Sequence, residues 1–283
     1  MNELTATPYK ISTITATGSI NTLIDLQILY DYIEIVNVDS EDIMGCVYIE
    51  YGKNKVNTIS KGINVKAKQS LKRKKKDVKR FDNQSTLLIK NKMGEEERYI
   101  NTKIFKNGNV QMTGLKTTNQ GICAVNFIIK MVHNIYKINQ NIVEDIQSIT
   151  NNNFRIRLIN SDFKLNTQIK RDKLNVIIQE RYGIYSSFEP CIYPGVKVQY
   201  YWNIANNKGT GTGICNCTVP CNGKGQGLAH GDCKRITIAI FQSGCIIITG
   251  AQTTDQIKSA YDFVFNVIKD NLYIVQKSTC AFL

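Results

Sequence analysis

The chain has 283 residues, 42% of them hydrophobic, enough to bury a sizeable core in one large domain or two small ones. No apolar run approaches the roughly 18 residues of a membrane span, and residues 1–10 lack the basic and apolar blocks of a signal peptide. A globular protein of a reducing compartment is therefore expected, its nine cysteines present as thiols or metal ligands rather than as a disulfide framework. The net charge of +13 is local: residues 52–98 hold 15 Lys and Arg against five Asp and Glu, leaving 21 against 18 elsewhere.

In chain order, residues 11–20 are rich in Thr and Ile and alternate loosely, which reads as a strand. Asp25 then caps a helix with Leu26, Leu29, Tyr30 and Ile33 on one side. Residues 44–51 alternate again as the next strand. The basic segment 52–98 follows and peaks at Lys72, Arg73, Lys74, Lys75 and Lys76. Such a block either contacts phosphates, addresses the chain to a compartment, or stays solvated. Within it, residues 56–67 and 86–91 are read as a small extra hairpin.

The stretch 104–132 is then repeated at 240–268. The copies share Ile104/Ile240, Phe105/Phe241, Gly108/Gly244, Thr113/Thr249, Gly114/Gly250, Thr117/Thr253, Thr118/Thr254, Gln120/Gln256, Ala124/Ala260 and Phe127/Phe263. A period of 136 residues is too long for a solenoid, so the reading is two halves of one duplicated fold. In each copy a strand ends in Ile-Phe, turns on a glycine-bearing hairpin and returns in a second strand that Thr-Gly closes. A helix follows, opened by a capping box of Thr117 with Gln120 and of Thr253 with Gln256. One apolar stripe runs through Ile122, Val125, Ile128, Ile129, Val132 and Ile135; the other runs through Ile257, Ala260, Tyr261, Val264, Phe265, Ile268 and Leu272.

The duplication reaches upstream. Residues 154–165 form a strand, residues 172–182 a helix stopped by Gly183, and residues 193–200 echo 44–51 through Val47/Val196, Ile49/Val198 and Tyr51/Tyr200. The halves are 1–140, carrying the basic insert 52–98, and 141–283, carrying an insert at 202–234 rich in Gly, Asn and Cys. Both inserts fall in the same loop of the repeat, where added length costs little closure entropy.

The second insert places Cys215, Cys217, Cys221, His230 and Cys233 within 19 residues. Thiolates and imidazole suit tetrahedral zinc, and a loop this poor in apolar residues needs a staple, so structural zinc stands here against free thiols or a disulfide. Cys46, Cys123, Cys191, Cys245 and Cys280 read as small buried residues. No carboxylate pair with a base, no phosphate-cradling Gly-Lys-Ser/Thr loop and only His133 and His230 are present, so no enzyme is expected.

The paired motifs Ile104-Phe105-x-x-Gly108-x-x-x-x-Thr113-Gly114 and Ile240-Phe241-x-Ser243-Gly244-x-x-x-x-Thr249-Gly250-Ala251, with Ser186-Ser187-Phe188-Glu189-Pro190 and Tyr193-Pro194-Gly195, resemble the TATA-box-binding proteins. The version is divergent, and the Asn-, Ile- and Lys-rich composition points to a large DNA virus. The resemblance implies an α+β fold: a pseudo-two-fold duplicated curved antiparallel sheet, or saddle, with helices on the convex face. It implies a monomeric transcription initiation factor that binds and bends A·T-rich double-stranded DNA through the minor groove, with apolar wedges between base steps. Phe105 and Phe241 would be wedges, and Met44 and Tyr193 stand where the second wedge of each half belongs. Thr113, Thr249 and Ile247 would face the groove floor, with Gln111 as the unmatched partner of Ile247. Thr13 and Leu158 stand where the family has asparagines. No cofactor is required beyond possible zinc. General transcription factors or RNA polymerase subunits would be partners, in the nucleus or a viral factory, possibly packaged in the virion. The rival reading is a repurposed saddle that serves as a protein-interaction module in viral transcription assembly or in the virion.

Overall fold

In the computed structural model, which describes residues 3–52, 58–65, 83–93, 96–205 and 211–277, the chain divides into two compact units. Residues 14–157 form the first; residues 158–283 with 1–13 form the second. The fold is α+β, with antiparallel strands throughout both units. Among the described residues, no helix is long and apolar enough to cross a membrane.

The strands of the first unit are β1 (Lys10–Ser19, of which residues 14–19 belong here), β2 (Met44–Tyr51), β3 (Ile59–Gly62), β4 (Gln84–Met93), β5 (Glu96–Phe105) and β6 (Asn109–Leu115), with helices α1 (Leu26–Tyr32) and α2 (Thr118–Tyr136). They line up in the order β3-β2-β4-β5-β6-β1. In the second unit β7 (Asn152–Lys164, here from residue 158), β8 (Ser186–Ser187), β9 (Val196–Trp202), β10 (Lys234–Ile240) and β11 (Cys245–Ala251) take the order β7-β11-β10-β9-β8. Its helices are α3 (Arg171–Glu180), α4 (Thr254–Asp270) and α5 (Leu272–Val275).

Period-two burial makes one side of each sheet a core face. In β5 and β6 it carries Ile100, Thr102, Ile104, Val110 and Met112; in β10 and β11 it carries Ile236, Ile238, Ile240, Ile246 and Ile248. The repeated helices cover these faces with Val125, Ile128 and Val132, and with Ile257, Val264 and Ile268. Their caps form as the spacing requires: Thr117 Oγ1 accepts from the Gln120 amide at 3.2 Å, and Thr253 Oγ1 from the Gln256 amide at 3.3 Å. Gln120 Oε1 accepts from the Lys116 amide at 2.7 Å and from the Thr117 amide at 3.3 Å, and Gln256 Oε1 accepts from the Gln252 amide, the counterpart of Lys116, at 2.8 Å. The stripe expected to run on to Leu272 breaks at Asn271. Its buried amide donates to Val267 O and Tyr182 Oη and accepts from Arg181, which stops α4 and starts α5.

The duplication is repeated bond for bond in the backbone. The Ile20 amide donates to Gly108 O and the Ile24 amide to Lys106 O; Leu165 donates to Gly244 O and Ile169 to Gln242 O. Both hairpins close through a glycine amide donating to the Phe carbonyl three residues before it. Gly108 and Gly244 have φ of 76° and 80°, and a Cβ there would meet a backbone oxygen at 2.2 or 2.3 Å, so only glycine fits.

Thr-Gly does not close the second strand as expected. Gly114 and Gly250, with φ of 91° and 99°, are bulges inside β6 and β11, and pairing resumes at Leu115↔Ile14 and Ala251↔Ile159. The extra residue keeps Thr113 and Thr249 on the open face and returns Leu115 and Ala251 to the core.

The basic segment is the largest departure from expectation. The extra hairpin expected of residues 56–67 and 86–91 does not form where the segments are described, at 58–65 and 86–91: β3 and β4 flank β2 on opposite sides. β4 is a central strand against β5, so residues 84–93 and 96–98 are sheet rather than insert. The echo of 44–51 in 193–200 does not hold in space either. β10 pairs directly with β9, while β5 pairs with β4 and leaves β2 one strand farther out. Consequently the inserts occupy different connections, the cysteine-rich one between β9 and β10 and the basic one between β2 and β4. Even one of the segment's charges serves the core. Lys90, 1% exposed, donates to Val38 O at 2.7 Å and Ser40 O at 2.5 Å and pairs with Glu97 at 3.0 Å, which satisfies an ammonium that burial would otherwise penalise.

Candidate nucleic-acid interface and cysteine cluster

Strand alternation alone decides where the two repeated phenylalanines point. Ile104 and Ile240 are fully buried, so the next residue of each strand leaves on the other side, and Phe105 and Phe241 are half-buried on the faces the helices leave open.

In the second unit Phe241 has company. Its ring centroid lies 5.7 Å from that of Tyr193, and Lys197 Nζ sits 4.1 Å above the Tyr193 ring. Gly195 permits the approach, since a Cβ there would stand 2.9 Å from Tyr193 and 3.2 Å from Phe241. Behind them, Arg171 stacks on Phe188 at 4.9 Å and donates to Pro194 O and, at 3.1 Å, to Gln242 Oε1. The structure thus brings Tyr193 and Phe241 together. It does not do the same for Met44 and Phe105. Met44 pairs with Asn91 while Phe105 pairs with Gln84, seven residues away along β4, a separation of roughly 23 Å at 3.3 Å per residue.

Thr113 and Thr249 occupy the same open-face position of their units, paired on the equivalent strands β5 and β10 with Asn101 and Thr237. Thr249 Oγ1 donates to Asn160 Oδ1 at 2.5 Å. Asn160 therefore supplies an amide on this face, two residues from Leu158, the position at which the resemblance places a family asparagine. Ile247 is 37% exposed and stands between Ala239 and Asp162, while Thr13 is half-buried at the edge of the second unit. The candidates Lys72, Arg73, Lys74, Lys75 and Lys76 lie outside the described residues.

Sequence reasoning missed a groove of about 730 Å³ in the first unit, lined by Thr17, Phe105, Asn109, Gln111, Arg155 and Arg157 among others. Arg157 Nε donates to Thr17 Oγ1 at 2.8 Å. The signal was present in the sequence, because Asn153, Arg155 and Arg157 alternate along β7 and so share a face.

The cysteines resolve into a set of four. Sγ atoms of Cys215, Cys217, Cys221 and Cys233 all lie within 4.8 Å of one another, with Cys217–Cys233 at 3.4 Å and Cys215–Cys233 at 3.6 Å. Four thiolates at 2.3 Å from one ion would be about 3.8 Å apart, so the set fits a tetrahedral metal. His230 is not part of it: its Nε2 is engaged by the Thr218 amide at 3.1 Å and hydroxyl at 2.9 Å. The Gly231 amide donates to Cys217 Sγ at 3.2 Å and Asn203 Nδ2 to Cys233 Sγ at 3.7 Å, contacts that orient thiolate ligands. Asp232 shapes the loop by accepting from the Gln226 and Leu228 amides.

Of the remaining cysteines only Cys46 is buried, with its thiol pushed up to about 12 by desolvation; Cys123 is half-buried, and Cys191 and Cys245 are exposed. Cys280 lies outside the described residues. Cys245 is exposed because it alternates with Ile247 and Thr249 on the open face of β11.

Comparison with known proteins bears on the family and the fold. The family model for transcription factor TFIID, or TATA-binding protein, matches residues 229–271. A TATA-box-binding protein-like protein of Acanthamoeba polyphaga mimivirus is 33% identical over 266 residues, which are 92% of this chain and 64% of that protein. The chain thus spans somewhat less than two thirds of that relative's length. The structure of the Methanococcus jannaschii TATA-binding protein superposes with a TM-score of 0.50 over 93% of this chain and 99% of that one. At 15% identity this last likeness speaks for the fold alone.

Proposed function

We propose that the chain, which is similar to the TATA-box-binding proteins and has a likeness to their fold, is a transcription initiation factor that binds A·T-rich duplex DNA in the minor groove and bends it. The observation that carries the reading is the placement of Phe105 and Phe241: equivalent strand ends, equivalent hairpins, both rings on the open side of their sheets. An apolar ring offered beside hydroxyl and amide groups suits a minor-groove floor. A wedge there costs a few kcal/mol of unstacking, offset by the protein surface a bent duplex can cover.

Thr113, Thr249 and Asn160 are the groups that face acceptors on the groove floor, where the guanine amino group alone separates G·C from A·T. Tyr193 shares the wedge role of Phe241, with Lys197 beside it for a phosphate. The partners are duplex DNA and components of the transcription machinery, the setting is the nucleus or a viral factory, and the mimivirus relative supports a viral context. No step of this function asks for a reaction at any residue.

Cys215, Cys217, Cys221 and Cys233 hold a structural zinc in this reading. The ion supplies a rigid tetrahedral node to a loop with little apolar core of its own.

Titration of the full chain with A·T-rich and G·C-rich duplexes at low and moderate salt tests the proposal. Expected are preference for A·T and a steep loss of affinity with salt. No measurable affinity for any duplex at low ionic strength ends it.

A further inference from the structure

The groove beside Phe105 has a composition that the described residues at the matching register of the second unit do not repeat. Arg155 and Arg157 leave β7 on the same side, about 6.6 Å apart along the strand. Asn107, Asn109, Gln111 and Asn153 add amides, and no carboxylate lines the groove. Arg157 is held in place by Thr17, while Arg155 is exposed. At the matching register the second unit presents Ala239, Ile247 and Asp162 where the first presents Lys103, Gln111 and Thr17.

Guanidinium groups among amides suit a narrow minor groove in particular. A·T tracts have the narrowest groove and the most negative potential, which draws in arginine, and arginine is more weakly hydrated than lysine. We propose that Arg155 and Arg157 make the first unit the one that takes the narrow, A·T-tract part of a duplex, so that the chain sits on an asymmetric site in one orientation. This rests on the duplex-binding reading above and adds to it the residues that decide polarity.

The experiment uses the full chain with a dye at its N-terminus, which belongs to the second unit. Its probes are a duplex with an A-tract in one half and mixed sequence in the other, end-labelled at either side. For the wild type, energy transfer is expected to differ between the two end labels, and the difference to follow the A-tract when it is moved to the other half. Arg155→Gln with Arg157→Gln is expected to equalise the two ends, to weaken A-tract binding roughly 10- to 100-fold at low salt, and to lower the salt slope by up to about two. Arg155→Lys with Arg157→Lys should restore the slope but not the orientation. Arg155→Gln alone, at an exposed side chain, guards against loss of the Arg157–Thr17 bond and should show part of the same effect.

If the wild type binds duplex and the glutamine variants keep its affinity, slope and orientation, the inference fails while the parent reading stands. Equal affinity for single strands, or a wild type that favours neither orientation, overturns it too. A wild type that binds no duplex at all removes the parent reading itself.

Discussion

The two units share the frame of their repeated hairpin and differ along the neighbouring row of side chains. In both, the hairpin glycine, the bulge glycine, the open-face threonine and the terminal phenylalanine stand at the same register. One row over, the first unit shows Lys103, Gln111 and Thr17 and the second shows Ala239, Ile247 and Asp162. Phe241 lies against Tyr193, whereas Phe105 looks into a groove of amides and guanidinium groups. The backbone bonds and strained turns leave no freedom to vary, because each depends on glycine or on a buried branched residue. Open-face positions such as Gln111 and Ile247 are exposed, so substitution there costs little core packing and the two copies differ at them.

The largest expected effect removes what the units share. Phe105→Ala with Phe241→Ala should abolish duplex bending, seen as loss of end-to-end energy transfer change, while the thermal melt moves by only a few degrees. Either single variant should leave partial bending, and Phe241→Ala should cost more because Tyr193 loses its neighbour. Bending unchanged in the double variant would show that the shared rings are not wedges.

A metal chelator should act on one unit only. Trp202, the single tryptophan, sits against Gly227 at the base of the cysteine loop and donates to Ser259 Oγ at 3.2 Å. Stripping zinc should shift its emission to the red and lower the melting temperature, at about 2–4 °C per kcal/mol for domains of 150–250 residues. Elemental analysis with fewer than four thiols protected from alkylation would contradict the site, and so would a full thiol titre in the untreated protein.

The shared bulges should be equally intolerant. Gly114→Ala and Gly250→Ala each place a side chain at strongly positive φ and should destabilise by about 1–3 kcal/mol, measured by denaturant midpoint. At Gly250 the new Cβ would also stand 3.1 Å from Arg235 O. A neutral result at either site would break the equivalence of the two strands.

The smallest effect sharpens the difference. Asp162→Asn removes a carboxylate from the open face of the second unit and should tighten duplex binding about two- to five-fold at low salt, an advantage that fades as screening increases. Unchanged affinity would place Asp162 away from the nucleic acid.

Much of this was legible in the sequence. Two copies of Ile-Phe, Gly, Thr-Gly and a Thr-x-x-Gln cap, each at the same spacing, specify hairpin and helix twice, because turns and caps depend on residues within four positions of one another. The helix stripes follow from periodicity, and Phe105 and Phe241 leave the core because the residue before each is an isoleucine that enters it. The four thiols were also visible as a cluster. What sequence could not supply was which partner each strand would choose.

Residues 84–93 alternate no better than a surface hairpin would, yet β4 lies between β2 and β5 and displaces the 44–51 strand by one place. Strand pairing is a long-range choice, and the insertion of β4 between β2 and β5 leaves Met44 roughly 23 Å from Phe105 along β4. His230 left the thiol set for the same kind of reason, since a backbone amide from Thr218 reached its ring first. Local chemistry was written in the order of the residues; which distant groups would meet was settled only by the sheet's pairing, whose free energy belongs to no single segment.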